Sequence, residues 1–489
     1  MLKVILNKKY SCGIILFLFA CQPIYAQNSF TGKIDQIINT SVANDAIWSV
    51  SVRDTTGNVL IGINNHRLMS PSSNLMLLTS SAILHSLGPD YRFKTRIYGD
   101  GMQKDSVWNG DIYIVGSGDP SIGGEFYNGD KLHVFDDFYA ELDTLKISAV
   151  NGYLIGNNSL FDNKEYPYGW NWNVLTYSSA PEIDALSFNN NCVDLTVNAR
   201  GRVGETPSIT WFPFNTDYVH FINEQTIIPS NIPENKSYRR ILGTNTILLK
   251  SSLSKNSVNE VSLTITNPAL YFIDSFKKYL QMNGFVWNGN MVVDHREHNW
   301  QDTTMFRQLA VHQSVPVKDL LEQINKDDNN FYAEMMLKAA AAKEYDVQGS
   351  TELGIQMVEE YAADLGVDTT KVLMSDGSGL SDQDLINTDA ITKTLFSMRK
   401  QPLFTSYENS LSTASLDGTL ENRFWDTPLK AKIIGNFGFH SGIGAFSGYL
   451  TTSNNHLLMF SIIANHVKNH KTAVINIEDK ILELIYRNF

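Results

Sequence analysis

An α/β (α+β) domain interrupted by a long β-rich insertion is the fold class this sequence predicts. Three observations support it. Strand-like stretches of alternating polarity stand near both ends of the chain, and helical stretches lie between them. From about residue 93 to 298 the texture changes to short strands and turns. At 489 residues the chain is too long for one ordinary core, and two or three domains are expected.

The first 26 residues read as an export signal. Lys3, Lys8 and Lys9 precede the apolar run GIILFLFAC, and PIYAQ offers Ala26 as the small residue before a cleavage site. The run is too short to span a bilayer comfortably, so no transmembrane span is expected in the mature chain. The alternative takes LFAC as a lipobox that makes Cys21 a lipidated anchor; Phe19 fits that pattern poorly. Either way the body is exported. Removing this segment takes three lysines and no acids from a formal charge of −12, leaving about −15. Such a balance argues against nucleic acid or an anionic membrane as partner. Cys12 and Cys21 leave with it, and Cys192 remains alone, with no thiol for a disulfide or a metal trio. In NNNCVDLTV it reads as a small buried strand residue.

The mature chain divides into 27–92 and 299–489, forming one domain, and 93–298, an insertion of two small β-rich modules. AIWSVSVRD and VLIGIN, joined by TTGN, form a hairpin. In SPSSNLMLLTSSAILHSLG, Ser70 suits an N-cap, Pro71 the first helical position, and Gly88 the stop. Apolar residues on several sides predict that this helix is buried on most faces. The insertion carries GDIYIVGSGDPSIGG, ISAVNGYLIGN, VDLTVNARG and VSLTITNP, with one clear helix at ALYFIDSFKKYLQMNG. Helices return at VKDLLEQINKDDNNFYAEMMLKAAAAKEY and STELGIQMVEEYAADLG. The chain closes with strands AKIIGNFGFH, AFSGYLTT and HLLMFSIIANH and a last helix.

Six stretches line up in order with one family: SPSSNLMLLTSSAILHSLGPDYRFKT, GDIYIVGSGDP, INKDDNNFYAE, MSDGSGLS, SLDGTLENRF and GAFSGYL. The chain resembles the class C penicillin-binding proteins, the periplasmic D-alanyl-D-alanine carboxypeptidases and endopeptidases of peptidoglycan. The resemblance implies a penicillin-binding, β-lactamase-like transpeptidase domain. It also implies serine-type peptidase action on stem peptides, a peptidoglycan-peptide or β-lactam-like ligand, and no metal or organic cofactor. The family works through S-x-x-K, S-x-N and K-T-G motifs that meet in one cleft. A serine hydroxyl is a poor nucleophile until a neighbouring base takes its proton. A lysine three residues on shares its helical face and can serve when its amine is neutral.

Carried over, Ser73 falls on the nucleophile and Met76 on the lysine. Asp328 falls on the second serine, and Asn330 keeps the asparagine. Counting back without gaps from AFSGYL puts Asn436, Phe437 and Gly438 on K-T-G; a gapped alternative uses His440, Ser441 and Gly442. The ungapped register preserves the family spacing and is preferred. Two potential cations are then lost and one anion gained. Methionine accepts no proton at neutral pH, and losing general-base help costs about 10²–10⁴-fold. Asp328 would also face an anionic peptide terminus, where like charges ~4 Å apart at an effective dielectric of ~20 repel by about 4 kcal/mol.

Other readings stand beside these. Ser73 alone would be an ordinary first-turn serine, and Met76 packs a core on either view. Asp328 reads first as a capping residue beside Asn329 and Asn330; a direct Ser73–Asp328 nucleophile–base pair is the alternative. Asn330 is expected to contact ligand or backbone. Ser252/Lys255, Ser275/Lys278 and Ser397/Lys400 also match S-x-x-K, but none opens the family's helix. HKTA at 470–473 reads as a cap to the last helix. His440 and HVKNHK read as surface histidines without carboxylate partners at metal spacing. Trp170 and Trp172 in YGWNWNV read as packing rather than a sugar platform. By family the function is D-Ala-D-Ala carboxypeptidase and endopeptidase action; by residues it is weak or lost. A non-catalytic, pseudoenzyme-like binder of cell-wall peptide or a partner, and a hydrolase of a neutral substrate, are the alternatives.

Overall fold

Strands from the two ends of the chain close one sheet. In a computed structural model, which describes residues 30–39, 45–468 and 471–489, Ile47–Arg53 pairs antiparallel with Val59–Ile63 on one side and Leu457–Asn465 on the other. Ile443–Thr451, Ile433–His440 and the short Ser412–Thr413 complete six strands, all antiparallel. The expected export segment, residues 1–26, with Cys12 and Cys21, lies outside the described residues.

Both faces of this sheet are covered. Trp48, Val50 and Val52 pack with Phe446, Phe460 and Ile462 beneath the helix Lys471–Asn488. The alternate residues Ser49 and Ser51 are also buried, because the helix Thr388–Met398 lies over them. Their hydroxyls meet those of Thr388 and Thr392 at 2.8 and 3.0 Å. Satisfied hydroxyls let a polar strand face sit inside a core. On that side, the helix Met76–Leu87 packs among Val317–Asn325, Asn330–Tyr345 and Thr351–Asp364.

One expected boundary shifts. The helix does not begin with Ser70 as N-cap and Pro71 as first residue. Ser70 is tied instead to Asn465, whose side chain accepts its N–H at 2.9 Å and donates to its carbonyl at 3.0 Å. A single 3-10 turn, Ser72–Leu75, then leads into the helix at Met76. The stop at Gly88, with φ +84°, is as expected.

The insertion builds a mixed sheet from Met291–Asp294, Leu154–Asn157, Ile112–Val115, Lys94–Gly99 and Arg307–Gln313. A second sheet, of Ser208–Phe212, Cys192–Asn198 and Val258–Thr264, stands beside it. One apolar cluster containing Ile114, Phe135, Leu195 and Phe272 runs through both. Arg307–Gln313 pairs with Lys94–Gly99, so the insertion's sheet extends beyond 298, where the sequence reading returns to the first domain.

Arg423, from the DGTLENRF stretch, fastens the last helix to the sheet. Its guanidinium donates to Glu478 at 3.1 Å and to Asp479, and lies 4.4 Å and 4.6 Å from the ring centres of Phe446 and Phe437. Burial pushes Glu478 up to about 7, against the pull of Arg423. Arg423→Met should keep the volume and remove the cation from Glu478 and Asp479, a loss that grows as pH rises above about 7 and reaches at most about 3–5 kcal/mol. The loss, measured by denaturant unfolding, should shrink at about pH 5, where Glu478 is protonated.

Candidate active site

Ser73 sits in the 3-10 turn, 7% exposed, held by the loop that carries DGSGLS. A Cβ on Gly379 (φ +78°) would lie 2.0 Å from the Ser72 carbonyl, so only glycine lets the loop approach this closely. Asp376 shapes the loop, accepting from the N–H groups of Gly379 (2.6 Å) and Ser381 (2.7 Å) and from the Trp170 indole (2.9 Å). Trp170 is thus a loop anchor, while Trp172 is exposed. Glu334, one turn along its helix from Asn330, accepts from the N–H groups of Gly377 and Ser378, both at 2.8 Å.

The strand Ile433–His440 passes directly over the serine. A Cβ on Gly438 would come 2.7 Å from the Ser73 Oγ and 2.8 Å from its Cβ. Asn436, on the same strand face by the two-residue alternation, is fully buried and does not reach into the cleft. Its amide donates to the Asn325 carbonyl at 3.1 Å, and its Oδ1 accepts from Asn74 at 3.2 Å. Phe437 points the other way, into the core beneath Lys471–Asn488. His440, Ser441 and Gly442 lie at the hairpin turn into Ile443–Thr451, where Ser441 and Gly442 both have positive φ. Ser441 Oγ and His440 Nε2 are 2.8 Å apart.

The second motif departs from its first reading. Asn329, not Asp328, caps the helix Asn330–Tyr345, its side chain accepting from the Tyr332 N–H. Asp328, at φ +57°, turns its carboxyl toward Ser73. Burial pushes Asp328 up to about 6; the Ser73 hydroxyl and the Lys471 ammonium oppose that rise. Among the described residues its buried Oδ1 has no hydrogen-bond partner. Asn330 donates to the Ser179 carbonyl at 2.9 Å. Met76 is fully buried in the apolar cluster. Among the described residues, no amine or imidazole is hydrogen-bonded to the Ser73 hydroxyl.

Beside these residues opens a cavity of about 340 Å³ lined by Asp327, Asp328, Asn330, Ser179, Asn190 and Glu125. Lys131 reaches its wall but is paired with Asp194 at 2.6 Å. A larger neighbouring cavity of about 700 Å³, walled by Trp211, Phe212 and Phe214, shares Lys131 and Asp194 with it. Cys192 is buried, and burial pushes its thiol far up, which leaves it inert at neutral pH. Among the described residues no group of three His, Cys, Asp or Glu could hold a metal ion. No helix of the described residues is long and apolar enough to cross a membrane.

A family model described as D-Ala-D-Ala carboxypeptidase 3 (S13) matches residues 30–486. The chain belongs to that family. It is 28% identical over 446 residues to a D-alanyl-D-alanine carboxypeptidase of Actinomadura sp. (strain R39), covering 88% of this chain and 80% of that one. To the D-alanyl-D-alanine carboxypeptidase DacB of Haemophilus influenzae it is 24% identical over 416 residues, 82% and 81% of the two chains. The crystal structure of penicillin binding protein 4 (dacB) from that organism superposes with a TM-score of 0.81 at 21% identity. That superposition spans 93% of this chain and 99% of the other, and confirms the penicillin-binding, β-lactamase-like fold.

Several residues near the site were not singled out from the sequence. Lys471, in the HKTA stretch read as a cap, opens the last helix and acts electrostatically on Asp328. Asn189, Asn190 and Asn191 all take positive φ, and the first two line the cavity. The run of three asparagines, a residue that tolerates this region, was the available signal. Glu334 forms a buried acidic group with Asp376 and Asp384.

Burial, reinforced by Asp376, pushes Glu334 up to about 8 from the ordinary 4.5. A carboxyl raised on folding takes up a proton, so its contribution is complete below the unfolded value and lost as pH rises through about 8. The thermal midpoint should therefore fall between about pH 5 and pH 8.5, and Glu334→Gln should reduce that slope, Asp384, also raised by burial, keeping the rest. Equal slopes for the two proteins would contradict the assignment.

Proposed function

We propose that this chain binds D-Ala-D-Ala-type cell-wall peptide in the inherited cleft and turns it over slowly or not at all. Family membership supports the ligand class. One observation supports the loss of rate: Met76, three residues after Ser73, is buried and apolar, and in this reading it takes the place of the base. Without that base the acylation step loses about 10²–10⁴-fold. Export through the 1–26 segment, and a periplasmic location with Cys21 lipidation as the alternative anchor, belong to the same reading. The lysine-flanked apolar run supports them.

The turn of Asp328 toward Ser73 favours one second reading, a weak serine–carboxylate pair. A carboxylate with a value near 6 is ionised at neutral pH and could accept the Ser73 proton, though it is a weaker base than a neutral amine. Any residual rate by this route rises as pH passes through about 6 and then levels off.

Labelled penicillin separates the outcomes. The wild-type protein should acylate at least ~100-fold more slowly than relatives with an intact S-x-x-K motif. Any label that does appear should be lost in Ser73→Ala. If the second reading holds, Asp328→Asn also abolishes it. Release of D-alanine from a muropeptide at the rate of intact relatives would refute the proposal.

A further inference from the structure

The geometry points to a cleft that selects a peptide end carrying an uncharged N–H donor, a C-terminal carboxamide, over the free carboxylate. This inference rests on the cell-wall-peptide reading above and specifies its ligand. The first argument is an unsatisfied acceptor. The Ser73 hydroxyl acts on the Asp328 carboxyl, but among the described residues the carboxyl's buried Oδ1 has no hydrogen-bond partner, which is costly unless a ligand supplies a donor. A carboxamide can donate to it; a carboxylate can only repel it.

The second argument is the fate of the positions that would hold an anion. Asn436 is turned into the scaffold, between Asn325 and Asn74, and Met76 is buried in an apolar cluster. The cavity wall has Glu125, Asp194, Asp327 and Asp328 against Lys131, and Lys131 is already paired with Asp194. Lys326, two residues before Asp328, is held by Glu322 and Asp417 at 3.1 and 3.0 Å. The remaining cation acting on Asp328 is Lys471. Its ammonium lies 5.8 Å from the ring centre of Phe437 and 5.9 Å from that of Phe439, whose side chains leave the strand on the face opposite Gly438. It tempers the Asp328 charge through space, with no hydrogen bond between the two among the described residues.

The test compares diacetyl-L-Lys-D-Ala-D-Ala with the same peptide ending in a carboxamide, by calorimetry on the full chain. At about pH 7.5 the carboxamide should bind at least ~10-fold more tightly. Asp328→Asn, an amide suited to the local positive φ, should remove most of that preference. Asp328→Ser, the residue of the family motif, should do the same if the asparagine variant fails to fold. Lowering the pH to about 5 should narrow the preference in the wild type, because Asp328 becomes protonated while the peptide carboxylate does not. Equal or tighter binding of the free acid overturns the inference and leaves the peptide-binding reading intact. So does a preference that survives both substitutions. If neither peptide binds at millimolar concentration, the peptide-binding reading fails, and the inference with it.

Discussion

A backbone passing within contact distance of a hydroxyl organises this molecule. Gly438 lies so close to Ser73 that a single added carbon would collide with its side chain. That approach is held from both sides of the strand. On one side Asn436 joins it to Asn325 and to Asn74, the residue after the serine. On the other, Phe437 packs against Phe446 and the Arg423 guanidinium, which is anchored in turn to the last helix. Interiors this dense leave little freedom to reposition one wall of the cleft without moving the other. The depth of the pocket is therefore a property of the scaffold, while its chemistry depends on which side chains face it.

The two are separable here. DGSGLS and DGTLENRF, the more specific of the family stretches, act on the scaffold. Asp376 and Gly379 close a loop against the turn that carries Ser73. Asp417 binds Lys326 at 3.0 Å and accepts the Thr413 N–H at 2.6 Å, so it fixes the entry to the second motif. Met76, Asp328 and Asn436, the residues the sequence resemblance sets on the motif positions, lie beside the turn that carries Ser73. A rate would depend on the second group. On that expectation a carboxylate would replace a hydroxyl and an amide an ammonium, which would change the cleft's electrostatics without disturbing the fold.

Most of the architecture was legible in the sequence. Alternation in AIWSVSVRD and in VLIGIN marks strands, because a period of two is imposed by the pleat itself. The covering of Ser49 and Ser51 was not, since it needs hydroxyls on a helix more than three hundred residues away. Nor was the pairing of Arg307–Gln313 with Lys94–Gly99, which a strand's own residues cannot specify. Around the site, motif spacing brought Ser73, Asn330 and Gly438 into consideration together. The roles within DDNN were reversed: Asn329 took the cap, and the left-handed turn at Asp328 aimed its carboxyl at the serine.

By itself the sequence determined which residue types follow Ser73 along its helix and stand in DDNN and IIGNFGFH, and hence the expectation that methionine takes the place of a proton acceptor. Periodicity and spacing are local, and they carry that information without a fold. Only the tertiary structure decided where each polar group finds its partner. It sent the Asn436 amide inward, paired Lys131 with Asp194, and left one oxygen of Asp328 buried and unmatched beside the hydroxyl. Desolvation and hydrogen bonding depend on everything within a few ångströms, and that neighbourhood is assembled from segments remote along the chain.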